Sequence, residues 1–426
     1  MDPMTGTAFV IATTLKILVF FVLLLVFVAL STYFERKVAG FIQDRSGPNR
    51  VGPLGLLQVM ADGLKFILKE EVEPGGANKK FFFLAPVLGL VPATVLFAVM
   101  PFASPAPTRW GLMEMIVADV PVGFLYVLAI ASLGVYGIVM AGWASNSKYS
   151  FLGGLRGSAQ MVSYEVALGM SLVPVLMLVG NVQMPEIVSA QQNFATGPAA
   201  YGAWFFLPLM LTAFVFLVAG LAETGRVPFD LAEAEGELVG GFHTEYSSMK
   251  FGMFFLGEYA HLITTAALIT VFFLGGWDIP FWQGDNIRVL ADGTVIGEPT
   301  WWKTLLTFGS FAVKTLILVL FFMWLRWTIP RFRYDQLMDL GWKVFIPIMM
   351  VYIMILGLAM YLLDEAGIPV GWQYSGALIV LNLIMMVILI WGLDRGMIVK
   401  GATSRTRRRA GGIRGRMTPT APSEVD

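Results

Sequence analysis

The chain has 426 residues, 57% hydrophobic and 14% charged, with a mean hydropathy of +0.73, far from the roughly 25% charged composition of soluble domains. Its 29 basic and 29 acidic residues cancel, which leaves no electrostatic footprint for nucleic acid. Cysteine is absent and only His243 and His261 are present, which excludes disulfides, thiolate-held iron–sulfur clusters, Cys-ligated zinc and paired bis-His haems within this chain. Any redox centre therefore belongs to a partner protein, and no metal site is expected here.

An all-α polytopic membrane protein follows, because lipid cannot satisfy open backbone groups. Crossing a hydrocarbon core of about 30 Å takes roughly 20 apolar residues, and such stretches occur at 8–34, 81–103, 120–143, 159–180, 203–222, 251–276, 305–327, 344–363 and 375–393. These predict about nine transmembrane helices. The first is too long, with too little basic charge before it, to be a cleavable signal peptide.

Between the first two spans lies GPLGLLQVMADGLKFILKE, residues 52–70. Leu56, Leu57, Met60, Leu64, Ile67 and Leu68 share one helical face there, and Gln58, Asp62, Lys65 and Lys69 the other. This pattern predicts an amphipathic helix that lies in the membrane interface or packs on a partner domain. Pro48 and Pro53, with Gly47, Gly52 and Gly55, mark a tight approach to it.

Lys and Arg concentrate in the odd connections and in the tail, whereas the N-terminus and the even connections hold only Arg109, Arg288 and Lys303. The positive-inside rule then puts the N-terminus outside and the C-terminus in the cytoplasm, in a cell (plasma or inner) membrane rather than the mitochondrial inner membrane. This parity requires an odd number of spans. Residues 1–394 are expected to form a single membrane domain without an evident internal repeat. Residues 395–426 read as a flexible basic tail that meets lipid headgroups.

The connection LAETGRVPFDLAEAEGELVGGFHTEY, residues 221–246, gathers Glu223, Asp230, Glu233, Glu235, Glu237 and Glu245 beside the membrane on the basic side. Glu165, Glu258, Lys16 and Lys314 fall within spans and Glu35 at a span end; each central charge costs roughly 2.5–3.5 kcal/mol on insertion. Static ion pairs that fix helix packing would explain any one of them. The acids Glu35, Glu165, Glu223 and Glu258, together with the acidic loop, favour instead a relay of carboxylates that moves protons or cations. Glu258 and His261 share a helical face. Gly225, Pro228, Gly236, Gly240 and Gly241 give the loop either freedom to rearrange or tight turns.

Four segments carry a family resemblance: ERKVAGFIQDRSGPNRVGPLGLLQVMADGLKFILKE from Glu35, GWASNSKYSFLGGLRGSAQMVSYEV from Gly142, LAETGRVPFDLAEAEGELVGGF from Leu221 and WLRWTIPRFRYDQLMDLGWK from Trp324. Together they resemble the H-subunit family of proton-pumping NADH:quinone oxidoreductase, respiratory complex I, over about 34–363. The resemblance implies a membrane heel that forms part of the quinone-binding cavity and couples quinone reduction to proton translocation. By motif position, Glu165, Glu223 and Glu258 resemble acids of the family's buried proton path. Glu233, Glu235 and Glu237 resemble its quinone-facing acidic loop, and Arg36, Asp62, Lys65 and Arg326 positions beside the quinone tunnel.

The resemblance further implies peripheral-arm quinone-junction subunits carrying flavin and iron–sulfur clusters, small neighbouring membrane subunits, lipid, and ubiquinone or menaquinone as substrate. It implies no cofactor bound by this chain and no residue of it that donates hydride or electrons. Phe251, Phe254 and Phe255 could line a slot for an isoprenoid tail. The alternative readings are a membrane anchor of an energy-converting hydrogenase-type complex and a stand-alone cation/proton transporter. The ninth span and the Arg-rich tail depart from the family pattern.

Overall fold

Helices answer the need to satisfy every backbone group internally. The computed structural model describes residues 6–394, except 110, 193–200, 202, 234, 281, 283, 286 and 290–294. In chain order its helices are α1 (Gly6–Ile42), α2 (Gln58–Leu68), α3 (Lys79–Val95), α4 (Gly123–Ala144), α5 (Lys148–Val179), α6 (Met184–Gln191) and α7 (Met210–Glu223), followed by α8 (Glu235–Leu238), α9 (Ser248–Phe273), α10 (Trp301–Thr328), α11 (Tyr334–Asp339), α12 (Ile346–Glu365) and α13 (Trp372–Asp394). Among the described residues eight helices are long and apolar enough to cross a membrane, with α11 and α12 joined through a wide π turn into one. The predicted ninth span is α13. The predicted basic tail lies outside the described residues.

The fifth predicted span is different in form. Instead of one helix over 203–222, turns lead to α7, whose 14 residues reach only about 21 Å at 1.5 Å per residue. Pro208 is the reason: it lacks an N–H and disfavours helical backbone at the residue before it. The segment still traverses the bundle. Its Phe206 N–H donates to the Phe273 carbonyl at the end of α9, while Glu223 at its other end is near the start of the acidic loop. Irregular backbone is tolerated at this depth because protein surrounds it: Phe205, Leu209, Leu211, Val215 and Phe216 are buried.

Small residues let the helices approach closely. A Cβ on Gly137 of α4 would sit 2.8 Å from the Gly89 nitrogen of α3, and one on Gly257 of α9 3.0 Å from the Gly89 oxygen. Three helices therefore meet at Gly89. The main core runs through α5, α7 and α9 with Tyr164, Phe216, Phe272 and Phe273, whereas the faces of α1, α10, α12 and α13 expose apolar residues such as Leu18, Ile317, Met354 and Val387.

On the side opposite the basic connections, β1 (Ala103–Thr108) and β2 (Gly111–Met115) form an antiparallel hairpin in register Thr108↔Gly111. A second small pair, β3 (Arg288–Val289) with β4 (Val295–Ile296), follows α9. The two intramembrane lysines serve these connections. Lys16 donates to the carbonyls of Glu114 at 3.1 Å and Ile116 at 2.7 Å; Lys314 donates to those of Leu274, Gly276 and Asp278. Static packing accounts for both.

The predicted amphipathic helix is α2, entered through a tight turn at Pro53–Gly55. Its apolar side chains Met60, Leu64, Ile67 and Leu68 remain exposed on this chain. Its far end is held by α9: Ser248 Oγ donates to the carbonyls of Phe66 and Lys69 at 2.9 Å each, and buried Lys250 pairs with Glu71 at 3.1 Å and Glu73 at 3.3 Å.

Candidate functional site

The acidic loop is shaped by packing on α5. Gln160, 1% exposed, donates to the carbonyls of Ala222 and Phe229 at 2.6 Å each and so pins both ends of the first turn. The loop then doubles back at Gly241, whose φ of +60° and lack of a side chain are both required: a Cβ there would lie 1.9 Å from the Ala232 oxygen. The tight turn is one of the two sequence readings of this glycine. Gly153 of α5 allows the returning segment to lie flat, since its Cβ would meet the Phe242 nitrogen at 2.6 Å.

Beneath the loop sits a cluster of two acids and two cations, with Glu35 and Arg226 buried and Glu258 and Arg326 partly exposed. Arg226, 3% exposed, donates through Nε to Glu258 at 2.6 Å and through Nη1 to Glu35 at 3.1 Å. Its guanidinium carbon lies 3.9 Å from the Tyr259 ring centroid. Glu35 also accepts from the Tyr259 hydroxyl at 2.6 Å and from Arg326. Burial works against the Arg226 charge, but Glu258 and Glu35 outweigh it and hold its pKa above the ordinary value. The Nη2 of Arg226 is buried without a hydrogen-bond partner.

Beside this cluster lies a cavity of about 260 Å³, whose lining includes Glu223, Glu233, Glu258, His243, His261 and Arg326 together with Phe251, Phe254 and Phe255. His261 Nε2 is 3.5 Å from Glu223 and His243 Nε2 is 3.3 Å from Glu233. Burial lowers the pKa of His243, but the hydrogen bond and charge of Glu233 outweigh it and the net shift is upward. For Glu233 burial acts upward, and the hydrogen bond from His243 with the nearby His243, Arg326 and Arg226 charges brings the net shift downward. The pairing thus favours the imidazolium and carboxylate forms. The Glu258 side chain is 21% exposed, and it lines this cavity.

The structure brings together only part of the set singled out from sequence. Glu223, Glu233, Glu258 and Arg326 share the cavity. Glu165 stands half-buried on α5, within reach of the Glu223 charge but not on the cavity wall. Glu237 turns away and pairs with Arg156 at 2.7 Å, 64% exposed. Glu235 opens α8, and its side chain lies outside the described residues. Arg36 and Asp62 pair at 2.6 Å, with Lys65 3.8 Å from Asp62, at the junction of α1 and α2. They form a separate, partly exposed charged group.

Arg226 and Tyr259 were missed as site residues; Glu35, expected among the relay acids, stands in the charge cluster with Arg226 and Arg326. The signal for Arg226 was a guanidinium three residues after Glu223, at the very end of an apolar segment, where a charge needs a partner. Asp230, held by Arg331 at 2.6 Å, ties the loop to the connection after α10 in the same manner.

Residues 15–357 match the model of the NADH dehydrogenase family. The H subunit 1 of the NADH-quinone oxidoreductase of Geobacter metallireducens is 46% identical over 355 residues, covering 83% of this chain and 98% of that protein. The H subunit of the NADH-quinone oxidoreductase of Magnetococcus marinus is 48% identical over 354 residues, covering 83% and 93%. That of Rhodospirillum centenum is 47% identical over 340 residues, covering 80% and 91%.

Proposed function

The chain belongs to the NADH dehydrogenase family, and from that premise we propose that it is the H-type membrane subunit of a proton-pumping NADH:quinone oxidoreductase. In this reading it supplies part of the quinone-binding cavity and couples quinone reduction to proton translocation. One observation carries it. A single cavity is lined by three carboxylates, two imidazoles and Arg326 together with phenylalanines, and Arg326 also contacts Glu35 in the neighbouring charge cluster.

That connection supports coupling. Quinone reduction consumes two electrons and two protons, so charge appears and disappears where the headgroup is reduced. A change of charge in the cavity acts on Arg326; Arg326 shares Glu35 with Arg226, and Arg226 holds Glu258. Protonating either acid forces the two guanidinium groups to repartition among what remains. The relay Glu258, Glu223 and Glu165 then passes protons or a charge shift toward the rest of the membrane arm, with His261 beside Glu223 and His243 beside Glu233 as proton-exchanging neighbours.

Arg36, Asp62 and Lys65 act as a polar guide for the quinone headgroup where α1 and α2 meet, and the exposed apolar face of α2 meets lipid or a neighbouring subunit. Glu233, Glu235 and Glu237 act as the quinone-facing acidic loop, Glu233 from the cavity wall. Flavin and iron–sulfur clusters reside in the peripheral-arm subunits, and this chain binds no redox cofactor. The basic side faces the cytoplasm, residues 1–394 act as one membrane domain, and the tail after 394 meets lipid headgroups.

Affinity isolation of the full complex through a tag on this chain, followed by identification of the co-purifying subunits and an assay of NADH:quinone turnover, tests the reading. Peripheral-arm subunits and quinone-linked NADH oxidation are expected. Proton flux through the purified chain alone in liposomes would instead establish a stand-alone transporter.

A further inference from the structure

The family match ends at residue 357, before α13. Its buried stripe is narrow: Ser375, Leu378, Asn382 and Leu389 face inward, while Leu383, Ile384, Val387 and Ile388 are exposed. The partner of the stripe is α7 rather than lipid or α12 alone. At its centre Asn382, 0% exposed, uses its whole hydrogen-bonding capacity. Its Oδ1 accepts from the Leu211 N–H at 3.3 Å and the Tyr352 hydroxyl at 3.0 Å; its Nδ2 donates to the Pro208 carbonyl at 2.5 Å and the Leu378 carbonyl at 3.0 Å.

Two of those partners are the groups that the break before α7 leaves open. Leu211 carries one of the first N–H groups of a helix, which has no intrahelical acceptor, and the Pro208 carbonyl precedes the helix start. At membrane depth no water is available to replace such partners. Ser375 adds a bond from its hydroxyl to the Tyr201 carbonyl at 2.5 Å, upstream on the same broken segment. On the other side Gln191 of α6 accepts from the Phe205 N–H at 3.3 Å.

We infer that α13 is a built-in brace that caps the broken start of α7, and that Asn382 is a positioning residue for Glu223. The helix between them is one short rod, Met210–Glu223, so where its first turn is fixed decides where its last residue stands relative to His261. The link to Glu223 rests on the coupling role proposed above; the capping of α7 does not.

The test uses the assembled, lipid-embedded complex. Asn382→Leu keeps the branched side-chain shape and removes all four bonds, Asn382→Gln keeps both polar groups, and Asn382→Ser supplies one hydroxyl in their place. Hydrogen–deuterium exchange across 205–213 is expected to accelerate by about tenfold or more in the Leu variant and by less than about twofold in the Gln variant. The Ser variant falls between, and it decides the matter if the Leu variant does not assemble. Unchanged exchange in the Leu and Ser variants overturns the brace.

Quinone-linked proton pumping in the Leu variant is expected to fall about fivefold, with no further loss when Glu223→Gln is added. Losses that multiply in the double variant overturn the link to Glu223. Wild-type pumping in Glu223→Gln alone would remove the coupling reading, and the exchange data would still decide the brace.

Discussion

Arg226→Met exchanges a buried cation for an apolar side chain of similar length. In the native cluster two acids face two cations; in the variant Arg326 alone remains, bonded to one oxygen of Glu35. Glu258 loses the 2.6 Å partner that holds it. Removing one member of a buried ion pair costs about 3–5 kcal/mol, and the lost guanidinium–Tyr259 contact adds about 0.5–2 kcal/mol. Large membrane assemblies unfold irreversibly, so the readout is the half-life of quinone-reductase activity at a fixed elevated temperature. If only about a third of that loss reaches the unfolding barrier, the half-life shortens about tenfold. Adding Glu258→Gln restores neutrality and should recover at least half of the loss in log half-life. Arg226→Lys should be intermediate, because an ammonium cannot reproduce the two-pronged contact. A wild-type half-life in Arg226→Met, or a double variant worse than the single one, would refute this electrostatic account.

Substituting Arg36 or Asp62 with Ala should raise the KM for quinone about two- to fivefold with little loss of stability, since an exposed pair is worth about 0–1 kcal/mol; unchanged quinone kinetics would remove both from the site. Gly241→Ala combines a left-handed backbone, worth about 1–2 kcal/mol against a side chain, with the 1.9 Å approach to Ala232, so the yield of assembled complex should fall; wild-type yield would contradict the packing of the loop. The His243–Glu233 pair has an upward-shifted imidazole and a downward-shifted carboxylate. Its stabilisation is therefore complete between about pH 4.3 and 6.5 and is lost as pH rises through the raised His243 value or falls through the depressed Glu233 value. Exchange across 236–246, corrected for its intrinsic pH dependence, should accelerate on the alkaline side, with the onset moved to lower pH by Glu233→Gln. An unmoved onset would show that the pair does not order the loop.

The span pattern was legible because apolar runs of membrane length leave little choice of structure, and the exceptions have local causes. Pro208 broke the fifth crossing. The start of α5, eleven residues ahead of the apolar run, escaped hydropathy because LGGLRGS is polar and glycine-rich; there Gly153 packs on the loop and Arg156 finds Glu237. In the site, the acids were legible by the rarity of carboxylates near lipid, but their partners were not. Arg226 and Glu35 are 191 positions apart and Arg326 and Glu35 are 291, and no periodicity reports contacts at that separation. For the same reason Lys16 and Lys314 read as intramembrane charges like the glutamates, although backbone carbonyls from distant turns satisfy them.

The coupling role is tested most directly by replacing Glu223, Glu165 and Glu258 singly with Gln in the assembled enzyme and measuring NADH:quinone turnover and proton pumping in the same vesicles. Loss of pumping, alone or together with turnover, is the predicted result. Normal turnover and normal pumping in all three variants would contradict it.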